Sequence, residues 1–210
     1  MVMQQATDFL EESRALAGLL AALSDSDFET QTQFKGWTIN NIVRHLHVWN
    51  IAVDLSLQDE AAFGAFVTAM MAGVRGGKLP AFEASYLDGI SGQALLQAWL
   101  ERTEAVAAAF ANADPKLRLK WVGPDMSALS SITARLMETW AHAQAVYDVL
   151  GVVRQDTDRI GNIVRLGVNT WGFTWKNRRQ DPPGPMPQVH LTAPSGTIWE
   201  YGEVSDSGRI

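Results

Sequence analysis

The sequence predicts a mainly α-helical protein that ends in a short β-hairpin. Apolar residues recur at intervals of three and four along several long segments, which is typical of helices that bury one face. Four prolines then occur within residues 182–187, and after them apolar and polar residues alternate. Proline interrupts helices and alternation is typical of strands, so the helical part of the chain is expected to end here.

The first two helices are predicted from their apolar faces. Residues 6–23 carry apolar side chains at helical spacing, and a Ser-Asp-Ser-Asp run then ends the helix. Thr38 is a suitable N-cap for the second helix, because its hydroxyl can accept from a backbone N–H of the first turn. In that helix His45 flanks the apolar stripe, whereas His47 shares a side with polar residues. We therefore expect His45 to point inward and His47 to be solvated.

Four more helical segments follow the second helix. They span residues 60–74, 91–112, 127–150 and 156–176. Gly76 and Gly77 are expected to end the first of these, and Ser91 to cap the second. The aromatic and methionine side chains of the segment at 60–74 are interpreted as packing residues and not as a cofactor site.

The C-terminal region is predicted to form an extended connector followed by a hairpin. Strands are expected at residues 189–192 and 197–201, around an Ala-Pro-Ser-Gly turn. We therefore divide the chain into a helical bundle, residues 1–180, and a proline-rich connector with a hairpin, residues 181–210. An isolated two-stranded hairpin is marginal in water, so it should dock on the bundle or be the start of a small domain that is cut short.

Composition restricts the function. With 47% hydrophobic and 19% charged residues, the 210-residue chain has the composition of a well-packed globular protein. A net charge of −6 provides no basic surface, so we expect no nucleic-acid partner. No apolar run reaches the length of a membrane span and no signal peptide is evident, so we expect a cytoplasmic protein that does not bind membranes. The absence of cysteine excludes a protein thiol as nucleophile.

The strongest chemical signal lies in the helix at residues 127–150. Glu138 and His142 are four residues apart, so their side chains leave the same face. The rest of that face is small and uncharged, and a buried carboxylate is costly unless it is paired or bound to a metal. Together with His45, the pair offers two imidazoles and one carboxylate for a metal. The alternative is an ordinary hydrogen bond or solvated pair between Glu138 and His142.

Three stretches of the chain resemble a known family. They are Gly36-Trp37-Thr38 through His45-Leu46, then Glu138-Thr139-Trp140-Ala141-His142, and Trp171-Gly172-Phe173 with Leu191-Thr192-Ala193-Pro194-Ser195-Gly196. They are similar to the metal-binding bundle proteins related to mycothiol-dependent maleylpyruvate isomerase, in the DinB-like superfamily, and to a bacterial group described only as metal-binding. The resemblance implies a DinB-like four-helix bundle with extra helices, and a divalent metal, usually zinc, held by His45, Glu138 and His142.

Several functions are compatible with this ligand set. Three protein ligands leave a position open, as in catalytic zinc sites. The resemblance implies an external low-molecular-weight thiol as cosubstrate, in isomerisation or transfer on a small electrophilic substrate. Activation of water for hydrolysis, and an Fe(II) oxygenase site, use the same ligands. A metal-stabilised protein that binds a small ligand without catalysis is the alternative from another class.

Two further expectations concern arginines and assembly. Arg44 and Arg135 lie near the proposed ligands and could orient a carboxylate substrate, but we favour surface salt bridges. The helix at 127–150 is apolar nearly all round, and the chain has eight tryptophans. An apolar helix face exposed to water indicates a surface that binds a partner, so we expect a homodimer that pairs through bundle helices. The family resemblance implies the same, since proteins of that superfamily commonly pair in this way.

Overall fold

The computed structural model describes residues 2–75 and 79–202. The chain divides into two compact units, Met1–Arg154 and Gln155–Ile210. The boundary that the sequence suggested, after residue 180, falls inside the second unit. The predicted helix end at Gly76 and Gly77, and the last eight residues of the segment 181–210, lie outside the described residues.

In its described residues, 2–75 and 79–154, the first unit has six α-helices and a short hairpin. The helices are α1 (Gln4–Leu20), α2 (Ile39–Gln58), α3 (Glu60–Arg75), α4 (Leu79–Tyr86), α5 (Gly92–Ala111) and α6 (Ala128–Val149), and the strands are β1 (Arg118–Leu119) and β2 (Met126–Ser127). Helix α1 contacts α5 and α6, and α2 contacts the same two helices. This closed ring is a four-helix bundle, which confirms the predicted fold.

The bundle forms because each of its helices buries an apolar stripe in one shared core. Fully or almost fully buried residues of that core are Leu16, Leu20, Ile42, Leu46, Leu95, Trp99 and Ala143. Thr38 caps α2 as predicted, and its hydroxyl accepts from the N–H of Asn41, whose side chain in return accepts from the Thr38 N–H. Ser127 caps α6 in the same way, by accepting from Ser130. These caps fix where the two site-bearing helices begin.

Helices α3 and α4 pack on the side of α2 that carries a second apolar cluster. The cluster contains Val48, Ala52, Phe63, Phe66 and Met70. Helix α4 was not predicted from the sequence. It begins directly after the undescribed residues 76–78 and has only eight residues, too few for a clear helical period. Its contact with α2 brings Glu83 against the bundle.

The second unit combines two short helices with the predicted hairpin. Helices α7 (Gly161–Asn169) and α8 (Trp171–Asn177) replace the single helix expected over residues 156–176. They are separated at Thr170, whose hydroxyl donates to the Gly167 carbonyl at 2.8 Å. Strands β3 (Val189–Thr192) and β4 (Ile198–Tyr201) pair antiparallel, with Val189 opposite Tyr201. The Asp158 carboxylate accepts from Ser195 in the hairpin turn, which ties the hairpin to the start of this unit.

None of the helices within residues 2–75 and 79–202 is long and apolar enough to cross a bilayer.

Candidate metal centre

The bundle brings the three predicted ligands together. His45 lies on α2, and Glu138 and His142 lie one turn apart on the adjacent helix α6. One nitrogen or oxygen atom from each of them lies within 4.8 Å of the others. Within the described part of the chain, this is the group of three acidic or histidine side chains that could hold a metal ion.

The two distances between Glu138 and the histidines suit a tetrahedral site. The Glu138 Oε2 atom lies 3.1 Å from His142 Nε2 and 3.5 Å from His45 Nε2. Ligands at about 2.0–2.1 Å from a tetrahedral zinc ion lie about 3.3 Å from one another. The two distances from Glu138 lie on either side of that value, and the third, between the two histidines, is within 4.8 Å.

A buried carboxylate holds the other nitrogen of His45. The Glu83 side chain on α4 is fully buried, and its Oε1 atom lies 2.7 Å from His45 Nδ1 and accepts from Trp49 Nε1 at 3.1 Å. A carboxylate only accepts hydrogen bonds, so the proton of neutral His45 belongs on Nδ1. Its Nε2 lone pair then faces Glu138, another acceptor. Two acceptors facing each other require a cation or a proton between them.

The electrostatics agree with this arrangement. Contact with His142, and then with His45, holds the pKa of Glu138 well below its usual range, so it is ionised at neutral pH. Burial lowers the pKa of His45, but the contacts with Glu138 and Glu83 outweigh it and leave that pKa above its ordinary value. The site therefore attracts positive charge, and protons compete with a metal for His45.

Two aromatic side chains cover the His142 side of the site. The Trp37 ring stacks on the His142 ring at 5.9 Å between centroids, and Phe34 meets it edge-on at 5.0 Å. Both belong to a turn in which Lys35 and Gly36 have positive φ angles of 54° and 70°. Glycine adopts such angles without strain, so Gly36 is well suited to the turn that holds these two rings in place.

A cavity of about 220 Å³ opens on the other side of the ligands. Its lining comprises the candidate ligands His45 and Glu138, the aromatic residues Trp49 and Trp121, and Val122, Ser131, Ala134 and Arg135. Trp121 and Val122 belong to the loop between β1 and β2, and Trp121 stacks on Phe63 at 5.9 Å. The cavity therefore gives a small molecule access to two of the three ligands.

The expectation of surface salt bridges was wrong for both arginines. Arg44 donates from Nε to the Ile90 carbonyl at 2.9 Å and so ties the loop before α5 to α2. Arg135 is only 3% exposed and lies in the cavity wall. Arg44 is half-buried and Arg135 is buried, and helical periodicity alone does not show which polar positions neighbouring elements cover.

The expectation that His47 is solvated was also wrong. Its side chain is buried, with 7% of the residue exposed, and burial lowers its pKa to about 4, with the charge of Arg102 acting in the same direction. His47 is not part of the group of candidate ligands. The inward position expected for His45 agrees with the structure, since both histidines are buried, and only His45 lies within the group of candidate ligands.

Sequence reasoning missed Glu83. A signal for it exists, because Leu79, Phe82, Glu83 and Tyr86 have the i, i+3, i+4, i+7 spacing of one helix face. A carboxylate on an otherwise apolar face is expected to have a buried partner. The helix has only eight residues, too few for a clear period, so neither the helix nor Glu83 was predicted.

Comparison with known proteins gives matches along most of the chain. Residues 9–147 match the family described as the mycothiol maleylpyruvate isomerase N-terminal domain. Two uncharacterized proteins of Mycobacterium tuberculosis, from the strains CDC 1551 / Oshkosh and ATCC 25618 / H37Rv, are each 36% identical over 204 residues. The matched region covers 97% of this chain and 78% of each relative.

A solved structure matches as well. The chain is similar to the crystal structure of the mycothiol-dependent maleylpyruvate isomerase, with a TM-score of 0.60 and 17% identity over 93% of this chain and 78% of that one. A mutant of the same isomerase gives the same values. At this level of identity the likeness shows a common fold.

Proposed function

The chain belongs to the mycothiol maleylpyruvate isomerase N-terminal domain family, and on this basis we propose that it is a metal-dependent enzyme. His45, Glu138 and His142 hold a divalent ion, with zinc as the expected metal. The reaction is an isomerisation or transfer on a small electrophilic substrate, with an external low-molecular-weight thiol as cosubstrate.

One observation carries the proposal. The Nε2 atoms of His45 and His142 meet the Glu138 carboxylate at distances that suit one shared ion, and the second nitrogen of His45 is held by the buried Glu83. Histidines that bind metals usually donate their other N–H to a carboxylate or carbonyl, which fixes the ring and makes it a better ligand. An ordinary hydrogen bond between Glu138 and His142 requires neither His45 nor Glu83.

The residues on the two sides of the site would have different roles in the reaction. A divalent ion held there would supply the Lewis acidity that keeps an external thiol deprotonated near neutral pH. Trp37 and Phe34 shield His142 from water, and the cavity beside His45 and Glu138 admits the reactants. The chain has no cysteine, so the sulfur has to come from another molecule. Low-molecular-weight thiols are kept reduced in the cytoplasm, which supports a cytoplasmic location.

Metal analysis and cobalt spectroscopy test this function. Protein purified without added metal is expected to contain about one equivalent of zinc per chain. After exchange for Co²⁺, addition of mycothiol should produce a thiolate-to-cobalt charge-transfer band, because the open position accepts the sulfur. An alcohol analogue of the thiol serves as the control and should give no such band. Absence of metal would refute the site, and bound metal without the band would favour water activation or simple ligand binding.

We also propose a homodimer, although the structure removes the original arguments for it. Among the described residues, Leu129 is the one large hydrophobic residue of α6 that is exposed, and each of the eight tryptophans is at least partly buried within its own chain. The proposal therefore rests on the family resemblance. Light scattering at micromolar concentration should give twice the 23.0 kDa mass of one chain. A mass of one chain would rule out the dimer.

A further inference from the structure

Arg135 is a buried cation that leaves two of its donor nitrogens without a hydrogen bond. It is 3% exposed, and neither its Nε nor its Nη2 atom has a hydrogen-bond partner. Buried charges are normally paired, and leaving donors of a charged group unsatisfied destabilises a protein. A ligand that provides the missing hydrogen-bond acceptors would satisfy these two donors.

The two unpaired atoms indicate the shape of that ligand. The Nε–H and the outer Nη2–H bonds of a guanidinium lie parallel along one edge of the planar group. This edge matches the two oxygens of a carboxylate, which can accept both hydrogen bonds at once. A single hydroxyl or carbonyl group would satisfy only one of the donors.

The surroundings of Arg135 define the rest of the ligand. Ser131 lies one turn before it on α6, also lines the cavity, and has a buried hydroxyl without a partner. Trp49, Trp121 and Val122 form an apolar wall of the same cavity. The wall suits an apolar or unsaturated body, and the polar pair suits its charged end.

We propose that the cavity binds a small carboxylate with an apolar body, with the carboxylate held side-on by Arg135 and assisted by Ser131. This deepens the proposed function, on which it rests, because it names the substrate class of the same site. The ligands His45 and Glu138 line the same cavity. A bound carboxylate would therefore place the remainder of the molecule beside them.

The charge of Arg135 is available at neutral pH. Burial lowers its pKa to about 10, while the charge of Glu138 acts in the opposite direction. The guanidinium therefore stays protonated. Glu138 carries the negative charge that acts on Arg135, and it is also a proposed metal ligand. A metal ion bound to Glu138 would offset this negative charge and leave the positive charge of Arg135 less compensated. An anionic ligand supplies the charge that the site then needs.

Calorimetric titration with benzoate and benzamide tests the proposal. The two molecules have nearly the same shape, and only benzoate carries a carboxylate. Because a metal could also bind benzoate, the titrations use both metal-loaded and chelator-treated full-length protein. Benzoate is expected to bind both forms, and benzamide at least about tenfold more weakly, since hydrogen bonds to charged groups are the stronger ones.

Variants assign the binding to Arg135. Arg135→Gln should weaken benzoate binding at least about tenfold and leave benzamide nearly unchanged. Ser131→Ala should give a smaller loss of benzoate affinity. The matched control is Arg14→Gln, which removes an exposed arginine that pairs with Glu104 outside the cavity, and it should bind benzoate like the wild type.

Each other outcome overturns the carboxylate site. It is wrong if wild-type protein does not bind benzoate, if benzamide binds equally well, or if Arg135→Gln binds benzoate unchanged. If Arg135→Gln does not fold, two other results still test the carboxylate site: the ratio of the benzoate and benzamide affinities of the wild type, and the benzoate affinity of Ser131→Ala. The metal content of the protein as purified, before any chelator is added, separates the two hypotheses. If that protein contains no metal and still binds benzoate through Arg135, the metalloenzyme is refuted and the carboxylate site is kept.

Discussion

His142→Ala is expected to abolish stoichiometric metal binding while the protein stays folded. The substitution removes one of three ligands, and two remaining ligands hold a divalent ion far more weakly. The core of the bundle lies elsewhere, at residues such as Leu46, Trp99 and Ala143, and does not include the ligands. Metal content should fall from about one equivalent to below about one tenth, while the helical far-ultraviolet circular dichroism stays at the wild-type level.

His47→Ala is the matched control for this experiment. His47 is a buried histidine on the same helix as His45, but it lies outside the group of candidate ligands. It should keep its metal even if its thermal stability drops. Loss of metal from His47→Ala would mean that the wrong histidine was chosen. If instead His142→Ala fails to fold, metal binding contributes to the free energy of folding and the site is structural.

The bundle was predictable because its helices follow local rules. The caps at Thr38 and Ser127 depend on residues within the first turn of each helix, and the apolar stripes depend on a period of 3.6 residues. The same periodicity placed Glu138 and His142 on one face. It could not show that α2 and α6 are neighbours, because that contact joins residues far apart in the chain.

The parts that sequence reasoning missed are those that depend on tertiary burial. Arg135 and His47 occupy polar positions of their helices, and both are buried because other parts of the fold cover them. Ser91 shows the same limit at a helix end. It does occupy the N-cap of α5, but its side chain makes no capping bond, and Asp25 accepts from the Gln93 N–H at 2.8 Å instead. A cap from a distant residue leaves no local pattern.

Glu83→Gln is expected to weaken metal binding about 10–100-fold, the usual effect of removing a partner that orients a ligand. Glutamine keeps the size of the side chain and a carbonyl that can accept from His45 and Trp49, but it has no charge. The His45 imidazole becomes a weaker base and a weaker ligand. Competition titration of metal-loaded protein with a chelator measures the change, and Glu104→Gln, at an exposed glutamate, is the control.

The pH dependence separates this role from a merely structural one. The Glu83 carboxylate stabilises protonated His45 as well as metal-bound His45, and it is one of the groups that raise the pKa of His45 above its ordinary value. In Glu83→Gln that pKa should fall, so protons compete less with the metal. The loss of affinity should therefore be largest above the His45 pKa of the wild type and shrink as the pH falls through it. A loss that is equal at every pH would assign Glu83 to packing, and unchanged affinity would remove it from the site.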